Sequence, residues 1–403
     1  MNMNYINREV ESQIKEFCKM FAVIAVTGPR QVGKSTTLKK IFSQKYKYFS
    51  LDDPEIRALA INDPKSFIEK IGDYCIIDEA QYSPDLFSCI KIRTDSDPSI
   101  KGRFILSGSQ HFHLMKNITE SLAGRVGIIN MSTLSISEIR SYKNKISSED
   151  YFYLASLRSG YPEPFINHNI KIDVWFNSYI QSYVQRDIRT LYNIGKIIEF
   201  ESFIKILAAQ AAQVMNLNRI SKGLGVAVNT LKNWVSILEA SGIIYILSPY
   251  YSNITKRFTK NPKVFFTDTG LLCYLLGIDS KSELKNSPMY GSIFENYCIM
   301  ETIKYFKNRI SGLKKNFYFL REQDRLEIDL LIESERKLYP IEIKISYKEN
   351  KKTIENIEKL IFSYKSLPVD KAFILSLIGP STQINPYLQA IELDDYIKIL
   401  EKI

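Results

Sequence analysis

The residues of this chain best suited to chemistry lie in the segment GPRQVGKST, which follows the apolar run VIAVT. Gly28 and Gly33 allow backbone N–H groups to curl around a polyphosphate, Lys34 can reach its outer oxygens, and the Ser35 hydroxyl suits Mg²⁺. A basic stretch without glycine follows, so a helix whose positive N-terminal end faces the phosphates is predicted. The sequence therefore predicts that a nucleoside triphosphate and Mg²⁺ bind to Gly28, Pro29, Arg30, Gln31, Val32, Gly33, Lys34, Ser35 and Thr36.

Acidic and polar side chains end the next predicted strands. Asp78 can hold the water shell of Mg²⁺, and Glu79 directly after it can polarise an attacking water. Ser107 and Ser109 end the following strand, where a polar side chain can sense the γ-phosphate. Arg125 is a candidate for neutralising charge on the transferred phosphoryl group, in cis or from a neighbouring subunit, with a surface ion pair as the alternative.

A second group of reactive residue types lies in the C-terminal third of the chain. Glu295 is in a predicted helix, Asp329 is on a predicted strand, and Glu342 and Lys344 share one face of the next strand because they are two residues apart. The three carboxylates suit one or two Mg²⁺ ions, and Lys344 can orient or deprotonate a metal-bound water. The pattern predicts cleavage of a phosphodiester, with a solvated strand face as the alternative.

The order of these parts resembles the bacterial and archaeal AAA-type P-loop ATPases that are fused to an uncharacterised, nuclease-like domain. The residues that carry the resemblance run nearly end to end and include TGPRQVGKST, IIDEAQ, FILSGSQ, SLAGR, SGYPE, NPKVFFTDTGL, EIDLLIE and IEIK. It implies ATP binding and hydrolysis on a parallel sheet, with the nucleotide at the carboxyl ends of the strands. The D…E-x-K pattern resembles the restriction-endonuclease-like (PD-(D/E)XK) superfamily, which contains members that have lost cleavage.

Between these two regions the sequence predicts three short helices and a two-stranded wing, the pattern of a winged helix-turn-helix. Asn229 is predicted to cap the recognition helix, with its exposed face formed by Asn229, Thr230, Lys232 and Asn233. The wing contributes cations for DNA phosphates, namely Lys256, Arg257, Lys260 and Lys263. A role in binding another protein is the alternative for this unit.

The predicted fold class is therefore α/β, with four successive parts. They are a P-loop ATPase domain, a helical connector, a winged helix and a nuclease-like α/β domain, over residues 1–134, 135–195, 196–267 and 268–403. The formal net charge of +10 favours a polyanion such as nucleic acid as a partner, with a generally lysine-rich surface as the alternative, and the winged helix with its basic wing favours DNA. A polar N-terminus, short apolar runs and five scattered cysteines predict a cytoplasmic protein without a membrane segment, and a homo-oligomer is possible.

Two hypotheses of function follow. The first is an ATP-dependent protein that acts on DNA or is regulated by it, with ATP and Mg²⁺ as cofactors. The second is a signalling switch of the signal-transducing ATPase type, in which ATP controls assembly and the C-terminal domain binds a partner without cleaving it.

Overall fold

The structure is a computed structural model of the chain. It describes residues 5–108, 118, 120–143, 146–182, 196–251, 261–322, 326–347, 354–355, 357–358 and 368–403. The predicted site residue Ser109 and the wing residues Lys256, Arg257 and Lys260 lie outside the described residues.

The N-terminal part of the chain alternates strands and helices, as a parallel sheet requires. Its elements are α1 (Val10–Met20), β1 (Val23–Thr27), α2 (Lys34–Phe42), β2 (Lys47–Ser50), α3 (Pro54–Asn62), α4 (Pro64–Ile71), β3 (Cys75–Asp78), α5 (Leu86–Asp95), β4 (Phe104–Ser107) and β5 (Val126–Asn130). The five strands pair in parallel in the order β2-β3-β4-β1-β5. The α/β class with a parallel sheet, which the sequence predicted, is confirmed.

Local sequence explains where these helices begin. Asp53 and Asp63 each accept a hydrogen bond from a backbone N–H in the first turn of α3 and α4, and a proline follows each of them at the first helical position. β1 is apolar and fully buried because the sheet is covered on both faces. The sheet thus brings the ends of β1, β3 and β4 to one edge, with Asp78 and Val26 both paired with Ser107.

Helices connect this sheet to the rest of the molecule. They are α6 (Ile136–Tyr142), α7 (Ser148–Arg158), α8 (Pro162–Ile166) and α9 (Ile172–Ser182). A capping box between Ser135 and Glu138 starts α6. Three further helices and an antiparallel pair of strands follow: α10 (Ile197–Ala209), α11 (Leu217–Leu224), α12 (Val228–Ala240), β6 (Ile244–Leu247) and β7 (Lys263–Phe266).

The C-terminal part is a mixed sheet with helices packed on it. Its elements are α13 (Thr269–Leu275), α14 (Lys281–Asn286), α15 (Tyr290–Lys307), β8 (Asn316–Glu322), β9 (Leu326–Ser334), β10 (Lys337–Ser346), β11 (Ala372–Ile378), β12 (Thr382–Asn385), β13 (Leu388–Glu392) and α16 (Leu393–Leu400). The strand order is β12-β13-β11-β10-β9-β8, with β8, β9 and β10 antiparallel and β10, β11 and β13 parallel.

Buried polar contacts join the C-terminal part to the connector. Asp268 is fully buried and accepts hydrogen bonds from the Gly160 N–H at 2.8 Å and the Ser159 hydroxyl at 2.9 Å. Glu301 on α15 accepts one from the Ile136 N–H at 2.6 Å. A single hydrophobic cluster runs through all of these parts. Among the described residues, none of the helices has the length and apolar character that crossing a bilayer requires.

Candidate functional site

The phosphate loop between β1 and α2 has a backbone that only glycine can form at two positions. Gly28 has φ +139°, and a Cβ added there would lie 2.1 Å from the carbonyl oxygen of Met131. Gly33 has φ +93° and precedes the first residue of α2. Both values lie outside the range that L side chains adopt easily. The predicted loop is therefore built as the sequence pattern requires.

Lys34 begins α2 and is buried under this loop, with 6% of its surface exposed. Its ammonium donates to the carbonyls of Gly28 at 2.9 Å and Pro29 at 2.7 Å. A cavity of about 700 Å³ opens beside it, lined by Arg30, Gln31, Gly33, Ser35 and Thr36 among others. Lys34 is thus held at the floor of a cavity large enough for a nucleotide.

Asp78 lies at the carboxyl end of β3, beside the first turn of α2. Its carboxylate accepts hydrogen bonds from the hydroxyls of Ser35 at 2.6 Å, Tyr48 at 2.5 Å and Ser107 at 2.5 Å. Burial and the bond to Asp78 raise the pKa of Tyr48. Tyr48 was not predicted, because it contacts the site from the neighbouring strand β2 and belongs to no motif.

Mg²⁺ is implied by this arrangement, and the residues present fit it. A serine hydroxyl and a carboxylate already meet at 2.6 Å, and hard oxygen donors of this kind are the ligands that Mg²⁺ prefers. Ser35 and Asp78 would hold the ion, directly or through its water shell.

Glu79 follows Asp78 in the left-handed region, with φ +53°, which is uncommon for a residue other than glycine. This conformation breaks the alternation of the strand, so Glu79 lines the cavity while Asp78 bonds to Ser35. The amide of Gln81 donates a hydrogen bond to the Glu79 carboxylate. The predicted catalytic carboxylate thus faces the phosphate loop and is held by a side chain that was not predicted.

Residues outside the sequence motifs complete the cavity. Its apolar wall comes from the N-terminal segment and the connector, with Ile6, Pro162, Ile166 and Tyr179 among its lining residues. Arg8 is buried and supports the loop from behind: it donates to the Val32 carbonyl at 2.7 Å, the Ser132 carbonyl at 2.6 Å and Glu138 at 3.0 Å. No local pattern around Arg8 signalled this role.

Arg125 lies at the opposite end of the sheet from the phosphate loop. It directly precedes β5, and its carbonyl accepts a hydrogen bond from the N–H of Val23 at the start of β1. Its guanidinium donates to Asp95 at 2.5 and 3.0 Å. The length of β1, roughly 13 Å at about 3.3 Å per residue, separates it from the loop. This placement does not agree with a catalytic role in cis, and a role in trans stays a prediction.

The helix α12 exposes the face that the sequence predicted. Asn229, Lys232 and Asn233 are exposed, Thr230 is partly exposed, and Leu231, Trp234, Val235 and Leu238 are buried. The predicted cap is wrong, because α12 begins at Val228 and places Asn229 inside its first turn. The prediction that Lys263 contacts phosphates from the wing is also wrong, because only 3% of its surface is exposed.

The four residues of the C-terminal pattern do come together. Asp329 accepts a hydrogen bond from the Ile343 N–H at 2.8 Å, and Lys344 donates to Glu342 at 2.7 Å. Asp329 is 7% and Glu342 is 9% exposed. Lys263 from β7 joins them: its ammonium is 3.1 Å from Glu295, 3.3 Å from Glu327 and 3.8 Å from Asp329. We call Lys263, Glu295, Glu327, Asp329, Glu342 and Lys344 the acidic cluster.

Burial has the largest effect on the pKa values of the acidic cluster. Burial and the neighbouring Asp329 raise the pKa of Glu295 to about 8 and the pKa of Glu342 to about 7. Burial lowers the pKa of Lys263, but Glu295, Asp329 and Glu327 outweigh it, so this pKa is raised. Lys263 is therefore a charged ammonium inside the cluster.

The acidic cluster does not fit the predicted Mg²⁺ site. The ammonium of Lys263 lies among the oxygens of Glu295 and Asp329 that the ion would need. Within the described part of the chain, no group of three or more acidic, histidine or cysteine side chains is arranged to hold a metal ion. The prediction that Glu295, Asp329 and Glu342 hold a metal ion is therefore wrong for this arrangement of the side chains.

Three family models match successive parts of the chain. They are an AAA domain over residues 21–140, a domain of unknown function (DUF8612) over residues 149–282, and a second domain of unknown function (DUF4143) over residues 290–396. The first match contains the phosphate loop, Asp78 and Glu79. The acidic cluster takes Lys263 from the second matched region and its other members from the third.

Two sequence relatives and two solved structures are similar to this chain. Uncharacterized proteins of Mycobacterium tuberculosis and Mycobacterium bovis are each 29% identical over 339 residues, covering 84% of this chain and 73% of their own. The Walker-type ATPase of Pyrococcus abyssi is similar in structure, with 14% identity, a TM-score of 0.47, and coverage of 68% of this chain and 96% of its own. RuvB of Thermotoga maritima is 17% identical with a TM-score of 0.31, over 60% and 89%.

Proposed function

We propose that this chain, whose residues 21–140 form an AAA-type P-loop ATPase domain, binds ATP with Mg²⁺ and hydrolyses its terminal phosphate. The observation that carries the proposal is the contact of Asp78 with Ser35, at the edge of a cavity that also contains Lys34 and Glu79. One bound triphosphate would then be within reach of Lys34, which binds phosphate, and of the Ser35 and Asp78 oxygens, which hold the metal ion. The Glu79 carboxylate would be within reach of it as well.

The chain's own groups would share the work of hydrolysis. Backbone N–H groups of the loop and the Lys34 ammonium bind the phosphate oxygens, and Ser35 and Asp78 hold the cation. An Mg²⁺ ion held by Ser35 and Asp78 would supply neutralisation of phosphate charge. Glu79 orients the attacking water and accepts its proton, and Gln81 positions Glu79 through the hydrogen bond to its carboxylate.

The apolar wall of the cavity suits a nucleotide base. Ile6, Pro162, Ile166 and Tyr179 provide flat or aliphatic surface, which is what recognition of a heteroaromatic ring requires. This wall joins the N-terminal segment to the connector, so a bound base would contact both.

The ATPase proposal is tested by Mg²⁺-dependent release of phosphate from ATP and by Asp78→Asn. The change removes the negative charge that holds the cation, and it is expected to lower turnover by at least about 100-fold, because metal stabilisation contributes several kcal/mol. Phosphate release by the full-length chain at saturating ATP measures this. Asp97→Asn is the matched control, since Asp97 accepts hydrogen bonds from Ser99 in the loop before β4 and should leave turnover unchanged. Equal turnover in Asp78→Asn and wild type would refute the assignment.

The second part of the proposal is contact with DNA through the unit formed by α10, α11, α12 and the β6–β7 pair. The order of three helices and a two-stranded pair supports a winged helix, and the formal net charge of +10 supports a polyanionic partner. The specific observation is the exposed polar face of α12, with Asn229, Lys232 and Asn233 at the surface.

Lys232→Ala is expected to weaken binding to duplex DNA at all sequences and to lower the slope of log affinity against log salt by about one. Fluorescence anisotropy at several salt concentrations measures both effects. Lys91→Ala removes an exposed lysine from α5 in the ATPase domain and serves as the control. If both variants show the wild-type slope of log affinity against log salt, α12 does not contact the DNA.

Cleavage of DNA by the C-terminal part stays a prediction. The topology of one helix, three antiparallel strands and a parallel strand supports a nuclease-like domain, but the acidic cluster contains Lys263 where a metal ion would be needed. The alternative of an ATP-controlled switch whose C-terminal part binds a partner also stays a prediction, as does assembly into an oligomer.

A further inference from the structure

The side chain of Lys263 crosses from the middle of the chain into the C-terminal part. It starts on β7, whose partner strand is β6, and ends between Glu295 on α15 and Asp329 on β9. With 3% of its side chain exposed, its ammonium has exchanged water for these carboxylates and for Glu327. Burying an ammonium costs several kcal/mol unless opposite charges surround it, so this position is set by the acids around it.

A divalent cation would compete for the same place. Mg²⁺ needs carboxylate oxygens at about 2.0–2.1 Å, and therefore has to lie between the acids that Lys263 contacts. A dication and an ammonium cannot both occupy that space, because their repulsion in a buried site is strong. Occupation by Lys263 and occupation by a metal ion are therefore mutually exclusive.

Lys263 does not satisfy every carboxylate oxygen of the acidic cluster. The Oε2 atom of Glu342 is buried and has no hydrogen-bond partner among the described residues. Buried carboxylate oxygens in this condition call for an explanation, since most are paired. Lys344 donates to the other oxygen of Glu342, Oε1, at 2.7 Å, and its own side chain is 45% exposed. This oxygen, Oε2, which Lys263 leaves unpaired, is one that a metal ion in place of Lys263 would use.

We propose that Lys263 is a built-in cation that closes the acidic cluster, so that a divalent metal ion enters only when the ammonium is withdrawn. The proposal goes beyond ATP hydrolysis and does not depend on it. It describes a closed state, in which the carboxylates of Glu295, Glu327 and Asp329 are paired with a lysine from another part of the chain.

Lys263 belongs to the β6–β7 pair, which contacts both the C-terminal part and the phosphate loop. Lys263 pairs with Leu247 at one end of the pair, directly after the basic segment predicted as a wing. At the other end Gly242 precedes β6 and lies against the phosphate loop, since an added Cβ would be 2.7 Å from Cγ of Pro29.

The test is Mn²⁺ binding by the full-length, nucleotide-free chain after treatment with EDTA, measured by calorimetry and by electron paramagnetic resonance. The wild type is expected to bind no Mn²⁺ at the acidic cluster. Lys263→Met should gain one Mn²⁺ per chain with at least a 10-fold tighter dissociation constant than any wild-type binding, and adding Asp329→Asn should abolish the gain. Wild-type binding that Asp329→Asn removes would overturn the proposal.

The Lys344→Met variant distinguishes two effects of Lys263→Met: emptying the space between Glu295 and Asp329, and removing one positive charge from the cluster. It removes one ammonium from the same cluster, but Lys344 is half exposed and does not lie between Glu295 and Asp329. It is expected to gain no Mn²⁺ site. Equal gains in Lys344→Met and Lys263→Met would show that charge alone matters and would refute the closure.

A charge-balanced variant covers the case in which Lys263→Met does not fold. Glu295→Gln combined with Lys263→Met removes one acid and one ammonium, and leaves Asp329 and Glu342 to bind the ion. This double variant should bind Mn²⁺ at least 10-fold more tightly than Glu295→Gln alone. No difference between the two would overturn the proposal, whatever the single variant does.

Discussion

Replacement of Glu79 by glutamine is expected to lower ATP turnover by about 10²–10⁴-fold and to leave ATP bound, because a positioned general base contributes that factor. Glutamine keeps the size of the side chain and its bond to Gln81 but cannot accept the proton of the attacking water. Lys34, Ser35 and Asp78 are unchanged, so nucleotide affinity should stay within a few-fold of the wild type. Single-turnover phosphate release and equilibrium binding of a fluorescent ATP analogue measure the two quantities separately.

The control for this prediction is Glu69→Gln, the same chemical change at an exposed position on α4. It should leave both turnover and affinity unaltered. Gln81→Ala should fall between the two, with lower turnover and unchanged affinity, since it frees the Glu79 carboxylate without removing it. If Glu79→Gln hydrolyses ATP at the wild-type rate, the water-activating residue has been misassigned.

The local parts of the nucleotide site could be predicted from the sequence because each is a contiguous pattern. The spacing from Gly28 to Ser35 specifies a loop followed by a helix, and apolar runs specify β1, β3 and β4. Parallel strands then bring Asp78 to the same edge as the loop without further information. The left-handed backbone at Glu79 was not predictable, because no residue type there signals it.

Long-range contacts account for the residues that were missed. Arg8 bonds to Ser132 and Glu138, which are more than one hundred residues away in the sequence. Tyr48 contacts Asp78 only because β2 pairs with β3. Neither residue has a neighbour in the sequence that shares its role, so pattern analysis treats both as ordinary surface or core positions.

The interpretations of Lys263 and Arg125 both relied on local sequence without knowledge of the fold. Lys263 belongs to a basic stretch and was assigned to DNA phosphates, but its partners Glu295, Glu327 and Asp329 come from later elements. Arg125 follows a polar-tipped strand, yet it directly precedes β5 at the end of the sheet opposite the phosphate loop, which disagrees with a role in cis and leaves a role in trans as a prediction. The partners of each residue depend on strand direction and burial. The charge of the side chain predicts neither of these.

Lys34→Ala is expected to weaken binding of ATP by about 10²–10⁴-fold, because two charge-assisted hydrogen bonds of about 1.5–3 kcal/mol each are lost. The structure holds the ammonium at the loop through the carbonyls of Gly28 and Pro29. A bound triphosphate replaces those carbonyls by phosphate oxygens, so little side-chain entropy is lost on binding. Calorimetry with ATP and Mg²⁺ measures the affinity.

Lys40→Ala is the matched control, since Lys40 is exposed on the same helix. It changes the net charge of the chain by the same amount, so any general electrostatic attraction of ATP is lowered equally. A large loss in Lys34→Ala with none in Lys40→Ala therefore measures the contact at the loop. Equal affinities in the two variants would mean that the cavity beside Lys34 does not hold the phosphates, and the assignment of Ser35, Asp78 and Glu79 would fail with it.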